Sequence, residues 1–480
     1  MVMIAVGCEA AAAKPLPRLQ PERCRVTVPD VAMTCGQLLV QQDRADPENR
    51  QVQRLSYAIL KARDAAPAAD PIVFLTGGPG SSAFYFLPVI ANSPLRQRRD
   101  IIVVEQRGNG YSSPNLLCNP GEPATPEAVL AGFRACRAEI DRRGVPVQPY
   151  DTTQSAADVA ELRVALGIRE WNVFGTSYGS FWALRTLADH PDGIRTVILD
   201  SPFPPQATDK DEWVAQLNGL DAVFVACAAD VDCDRAYPQL RQRYIALLEA
   251  LDRTPVTGAR GSFGAADVHR LVGNVNFETV TVHLVPRLIA ALEQQDLADV
   301  ERISGLSGYP RARGIDMRRV YSAGLNVNIP CIDDIPFDPP AEDRLTLLSQ
   351  WPDTVTRVVR EVAMDNERIC REVWPVRPAG RNMGAPVASD VPALITVGAM
   401  DPSTPPALGE QMARTLPNAT LAVLPDSAHA ALVRPSACVA AILRDFLDQP
   451  GQRPETGCLE QDRPRFALPG EPIRLPEPGR

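Results

Sequence analysis

Residues 173–180 read VFGTSYGS, which sets Ser177 at the centre of a GxSxG pattern. A serine hydroxyl is a weak nucleophile at neutral pH. Chemistry at Ser177 therefore needs a base to take its proton and a carboxylate to orient that base. The pattern alone decides little, because average Gly and Ser usage produces one by chance in roughly one chain in ten of this length. The chain holds four histidines, His190, His269, His283 and His429. His190, in LADHPDG, sits at the far end of the helix that follows Ser177, roughly 18–20 Å away at ~1.5 Å per residue. His269 and His283 fall in a stretch without sheet-strand patterns. His429 follows an apolar run, C-terminal to all other candidate parts, and is the expected base. The expected acid is Asp401, just past the apolar run of LITVGAMDP, with Pro402 ending any continuation. Asp426 competes, three residues before His429, but its loop position suits a buried contact less well. The order Ser177, Asp401, His429 differs from the orders used by chymotrypsin and subtilisin.

An acyl-transfer site also needs two backbone N–H groups aimed at the developing oxyanion, each contributing roughly 3–4 kcal/mol. The N–H of Tyr178, directly after the serine, is one. The loop TGGPGSS (76–82) can supply the other, since Gly77 and Gly78 let backbone approach a ligand closely and Pro79 stiffens the turn. That loop is not a phosphate cradle. It lacks the Lys and Ser/Thr pair of a P-loop, and no GxGxxG with a downstream acid is present, so no nucleotide cofactor is expected.

These residues must be held by strands and helices. SYAIL reads as an edge-type strand. PIVFLTGGPGSS (71–82) and DIIVVEQRGNGYS (100–112) are apolar runs that stop at glycine loops. A helix is expected over about 153–167, then a buried strand at WNVFGTS, a helix at YGSFWALRTLADH and a strand at IRTVILDSPF. Short apolar strands alternating with amphipathic helices imply a mostly parallel sheet flanked by helices. From about 204 to 388 the pattern turns helical, charged and irregular. The βα rhythm then resumes at VPALITVGAMDPSTPP (391–406), a helix near 407–416, ATLAVLPDSAH (419–429) and a final helix at about 433–447. Asp401 lies 224 positions after Ser177, which leaves room for that insertion, and His429 lies 28 further on. The fold class expected is α/β, an α/β-hydrolase fold with a large, mainly helical cap inserted between sheet strands over the edge where ligands bind. The divisions are a leader and linker (1–20), a first core part (21–203), the cap (204–388), a second core part (389–460) and a Pro-rich tail (461–480).

The 480 residues carry a net charge of −9, which argues against nucleic acid and anionic membrane surfaces as partners. No apolar run has the length of a membrane span. Of eleven cysteines, Cys8 ends MIAVGC ahead of an Ala- and Pro-rich stretch, and reads as a lipoprotein-type processing box and possible lipid anchor. The other ten are even in number. Many fall in close pairs, Cys24/Cys35, Cys118/Cys136, Cys227/Cys233 and Cys438/Cys458, with Cys331 and Cys370 left over. Five disulfides in an exported protein, periplasmic, envelope-bound or secreted, is the economical reading. No CxxC spacing occurs and histidine is scarce near the cysteines, so no metal site is expected.

Taken together, GGPGSS, EQRGNGYS, GTSYG, DPSTPP and DSAH resemble the proline iminopeptidase and tripeptidyl aminopeptidase family of serine hydrolases. CGQLLVQQDR (35–44) and CREVWP (370–375) are similar to segments of its exported, disulfide-bearing branch, which has a C-terminal part of the tripeptidyl-aminopeptidase type. The resemblance spans about residues 24–460. It implies Ser177 as nucleophile, Asp401 and His429 as partners, and Gly78 with Tyr178 as oxyanion donors. The sequence departs from the family at Thr76, where HGGPG has its histidine, and at Glu105, where DQRG has its aspartate. An aminopeptidase must hold a free ammonium with carboxylates in a partly desolvated pocket. CIDDIPF (331–337) offers Asp333 and Asp334, and CxED is similar in this branch. Glu278, Glu361 and Asp365 are further cap acids. Trp213, Phe277 and Trp374 are of the type that fills cores. Two activities fit: an exported aminopeptidase releasing proline or short peptides from free N-termini, and a carboxylic-ester hydrolase using the same residues. The substrate is accordingly a peptide or small ester. A catalytically silent binding protein on the same fold is disfavoured by the complete set.

Overall fold

The computed structural model describes residues 15–121, 125–258, 261–306, 312–337, 346–362, 365–433 and 435–473. Cys8 and most of the expected leader, residues 1–14, lie outside them. Among the described residues, nine strands form one sheet in the order β1-β2-β3-β5-β4-β6-β7-β10-β11. They are β1 (Arg18–Glu22), β2 (Met33–Gln41), β3 (Val52–Leu60), β4 (Ile72–Leu75), β5 (Ile101–Val104), β6 (Trp171–Thr176), β7 (Ile194–Asp200), β10 (Ala393–Gly398) and β11 (Ala419–Leu424). A separate antiparallel hairpin pairs β8 (Val256–Gly258) with β9 (Gly261–Phe263). The six strands from β5 to β11 run parallel, and β1 to β3 extend the sheet antiparallel.

The strand containing SYAIL is not an edge. β3 pairs with β2 along its whole length and with β5 over Tyr57–Leu60. The residues ahead of it form two further strands, and β1 takes the edge instead. Buried positions run consecutively through Leu55–Ala58, as befits a strand with neighbours on both sides.

Helices cover the sheet: α1 (Leu87–Asn92), α2 (Pro126–Arg142), α3 (Thr152–Ala165), α4 (Tyr178–Asp189), and after the insertion α14 (Pro406–Ala413) and α15 (Ala437–Asp448). Their ends follow local chemistry. Asp151 caps α3 by accepting from Gln154 N at 2.7 Å, and Thr125 caps α2 ahead of Pro126. Gly167, at φ +68°, ends the chain segment of α3.

Between β7 and β10 lie α5 (Asp209–Ala229), α6 (Val231–Ala236), α7 (Leu240–Arg253), α8 (Ala265–Phe277), α9 (Val285–Glu293), α10 (Leu297–Ser304), α11 (Ala323–Asp333), α12 (Asp353–Val362) and α13 (Asn366–Glu372). Helices α5 to α9, with α12, close a second apolar cluster around Phe224, Tyr244, Leu288 and Trp351. In contrast, α11 and α13 pack into the main cluster on the sheet through Leu325, Ile329 and Ile369, joined by Trp374 just after α13. The inserted segment is therefore part roof and part wall. Disulfides join Cys24–Cys35, Cys118–Cys136, Cys227–Cys233, Cys331–Cys370 and Cys438–Cys458.

The chain moves from β4 outward to β5, then returns past β4 to β6. Sheets of this kind bind ligands in the crevice beyond the strand C-termini where the winding direction reverses. The TGGPGSS loop after β4 and Ser177 after β6 meet there.

Candidate active site

Ser177 holds φ 57° and ψ −130°, a region costly to a residue with a Cβ. Two glycines make the turn possible. A Cβ on Gly175 would lie 2.1 Å from the Gly179 carbonyl oxygen, and one on Gly179 would lie 2.1 Å from that of Leu75. Backbone bonds hold the bend: Ser177 N donates to Asp200 O at 2.9 Å, and Ser180 N donates to Ser177 O at 2.8 Å. The Ser177 hydroxyl does not cap α4, and Ser177 lines the spaces in the crevice. On the facing loop, a Cβ on Gly77 would sit 2.7 Å from that of Ser177, so the approach demands glycine.

Asp401 follows β10 and is fully buried. Its carboxylate accepts from Ser403 N at 2.9 Å, Thr404 N at 2.8 Å and Thr404 Oγ1 at 3.0 Å. His429 Nδ1 lies 3.0 Å from both of its oxygens. With Nδ1–H given to Asp401, Nε2 is the acceptor nitrogen. Asp426 instead accepts from Ser427 Oγ at 3.1 Å. Burial alone would depress the His429 imidazolium. The charge of Asp401, with smaller contributions from Asp200 and Glu212, outweighs it and lifts the group above its ordinary value. Burial likewise opposes ionisation of Asp401, and His429 overcomes it, leaving that carboxyl below its usual range. Ser177 and His429 line one chamber.

The other histidines are elsewhere. His190 ends α4, and His283 lies in a 3-10 turn preceding α9. His269 is buried inside the cap with Nδ1 2.6 Å from Tyr244 Oη, and its burial pushes it down to about 4.

Gly78, at φ +115°, and Tyr178, the first residue of α4, both line the pocket at Ser177. The EQRGNGYS segment braces them. Glu105 accepts from Ser82 Oγ and from Phe84 N, fixing the end of the TGGPGSS loop. Asn109 Nδ2 donates to Ser81 O at 2.6 Å, and Gln106 Nε2 donates to Tyr178 Oη at 2.9 Å. Arg107 is buried and grips Asp158 of α3 through two 2.7 Å bonds. Burial pushes the Glu105 carboxyl up to about 7.

Asp333 and Asp334 both line the Ser177 pocket, a space of about 120 Å³. Asp333 is the last residue of α11 and is buried. Its Oδ2 accepts from Thr152 N at 2.7 Å, while Oδ1 has no partner among the described residues. Burial, then the nearby Asp151, push its carboxyl up to about 7. Of the other cap acids, Glu278 reaches the chamber, through a backbone bridge with His429. Glu361 closes α12 and pairs with Arg357, and Asp365 caps α13.

Two groups at the site, Asp200 and Glu212, are not among the residues expected from the sequence, and Phe277 departs from the core position expected of it. Asp200 ends β7, accepts from Thr396 Oγ1 at 2.9 Å and from Leu432 N at 3.2 Å, and is pushed by burial up to about 7. It follows an apolar strand just as Asp401 does, so the same signal was there. Glu212, hidden in the charge run DKDEW, accepts from Ser403 Oγ at 3.1 Å and lines both spaces at Ser177. Phe277 is not core. Its ring centroid lies 4.5 Å from that of His429, and its carbonyl accepts from His429 N at 3.1 Å. Trp374 is buried as its type suggests, its Nε1 donating to Asn328 Oδ1 at 2.9 Å.

Residues 70–249 match the family model of the alpha/beta hydrolase fold, and residues 356–458 that of the TAP-like proteins. The class is accordingly the α/β hydrolases, and the chain is one whose C-terminal part is of the TAP-like kind. It is similar to a proline iminopeptidase of Xylella fastidiosa, 28% identical over 40% of this chain and 47% of the relative. A tripeptidyl aminopeptidase of Streptomyces lividans is 26% identical over 38% of each chain. The serine protease Hip1 of Mycobacterium bovis is 22% identical over 88% of this chain and 87% of its own. The first two matches thus span under half of those relatives.

Proposed function

We propose that the chain is a serine hydrolase working through an acyl-enzyme, and that it is an exported aminopeptidase releasing proline or short peptides from free N-termini. The observation that carries the reading is the buried Asp401–His429 pair, 3.0 Å apart, with His429 bordering one chamber together with a serine on a strained turn. Ser177 Oγ attacks the scissile carbonyl as its proton passes to His429 Nε2. The N–H groups of Gly78 and Tyr178 receive the oxyanion. His429 then gives the proton to the departing amine, and water hydrolyses the ester on Ser177 by the reverse path.

The amine preference is supported by three carboxylates, Glu212, Asp333 and Asp334, around a pocket of about 120 Å³ beside the serine. Export is supported by the five disulfides, and among the described residues no helix is long and apolar enough to cross a membrane. A lipid anchor at Cys8 remains part of the proposal. A second reading, a carboxylic-ester hydrolase, is favoured by the apolar lining of the larger chamber. A panel of peptidyl anilides with free and acetylated N-termini, beside simple esters, separates the two. The aminopeptidase reading expects acetylation to abolish turnover. Equal rates on blocked substrates, or rates on esters alone, refute it.

A further inference from the structure

Ser177 stands between two unlike spaces. One is the acid-lined pocket, shared with Tyr178 and the carboxylates of Glu212, Asp333 and Asp334. The other, of about 520 Å³, extends from the TGGPGSS loop to α1 and is mostly apolar, lined by Phe74, Phe86, Val89, Ile90 and Leu432, although Asp200, Glu212 and Glu278 also border it. That volume falls within the range of roughly 300–1,000 Å³ typical of small-molecule sites. At the rim stand Phe277, Met317 and Tyr321, which are 41%, 43% and 47% exposed. Large apolar side chains left in water and gathered at one opening mark a surface built to meet an apolar partner.

His429 lines the larger chamber and is absent from the lining of the acidic pocket. The base that deprotonates the serine also returns that proton to the leaving group, so the departing portion must lie on the His429 side. The geometry points to the apolar chamber as the leaving-group site. The enzyme selects substrates whose departing portion begins with a large aliphatic or aromatic residue, while the acyl portion with its free amine occupies the acidic pocket. Glu212, which lines both spaces, marks the partition between them. This assignment rests on the aminopeptidase reading for the orientation of the amine, but the side occupied by the leaving group follows from His429 alone.

The test crosses two series on the intact protein. In one, the acyl residue is fixed and the residue after the scissile bond is Gly, Ala, Leu or Phe. In the other, each substrate is offered with a free or an acetylated N-terminus. Ethyl and benzyl esters of the same acyl residue accompany both. Burial of a large side chain predicts a kcat/KM at least tenfold higher for Leu or Phe than for Gly, and for benzyl than for ethyl. Val89→Asp on the inner wall and Tyr321→Ser at the mouth shift the Phe:Gly ratio toward one, and labelling of Ser177 by a small fluorophosphonate shows that each variant retains a formed site. A flat leaving-group series overturns the chamber assignment even where acetylation blocks turnover. A steep series indifferent to acetylation supports the chamber and sinks the aminopeptidase reading instead. An apolar preference confined to the acyl residue also overturns the assignment.

Discussion

The imidazole of His429 is surrounded by carboxylates at unequal range, and this makes its titration a direct probe of the site. Burial would lower its pKa, but Asp401 first, then Asp200 and Glu212, raise it above 6.5. On the proposed mechanism only the neutral ring accepts the Ser177 proton, so kcat/KM is expected to rise with pH through a pKa above the ordinary histidine value. Replacing Asp401 by Asn removes the largest raising charge and the group that fixes the tautomer. The expected result is a fall in kcat of about 10³–10⁴-fold, with the acid limb of the residual activity displaced to lower pH. Asp200→Asn should move the same limb in the same direction by less. A pH–rate profile that does not move in the Asp401 variant contradicts this account. Most of this arrangement could be read in the sequence, because chain order and the scarcity of histidine leave few choices. The residues that could not be read in this way were Glu212 and Phe277. Each reaches Ser177 or His429 from the inserted segment, where helical periodicity reports burial but not which neighbour a face meets.

At the scale of elements, the strands and helices bounding the site agree closely with their apolar runs, as the observed β6, α4, β7 and β10 show. The antiparallel extension by β1 and β2 was not legible, since an edge and an inner strand differ in what pairs beside them rather than in their own residues. The segment after β5 has a role that its motif alone does not reveal. Glu105 holds the end of the TGGPGSS loop while buried, with Oε2 unpartnered among the described residues. Its carboxyl is raised from 4.5 to about 7. The folded state therefore binds a proton that the unfolded chain has released, and stability conferred by this group falls as pH rises from 4.5 through about 7. Glu105→Gln should flatten that part of the stability curve. Thermal midpoints for both proteins across this interval would measure it, and parallel slopes would dismiss the assignment.

Across the whole molecule, the cap is bound to the core by more than its two connections. The C-terminal segment crosses the cap helices: Tyr237 Oη donates to Ala467 O at 2.8 Å, Arg287 Nη1 to Glu471 O at 2.6 Å, and Ala467 N to His283 O at 3.1 Å. Phe466 is buried among the cap side chains. Composition suggested only a Pro-rich tail here, because a strap held by carbonyl groups leaves little trace in side-chain pattern. A chain ending after Asp462 loses the Phe466 burial, about 2–3 kcal/mol. It should show a lower unfolding midpoint and earlier proteolysis within α5 to α10, whereas an unchanged midpoint would remove the strap from the account.

The chemistry proposed for this protein depends on Ser177 acting as the nucleophile and on its activation by His429. The most direct measurement of both is reaction of the intact protein with a fluorophosphonate, followed by mass mapping of the modified residue and hydrolysis assays on the same samples. The expected result is one adduct on Ser177, loss of hydrolysis in step with labelling, no label and no turnover in Ser177→Ala, and slow labelling in His429→Ala. An adduct on another residue that abolishes activity, or turnover surviving in Ser177→Ala, would contradict it.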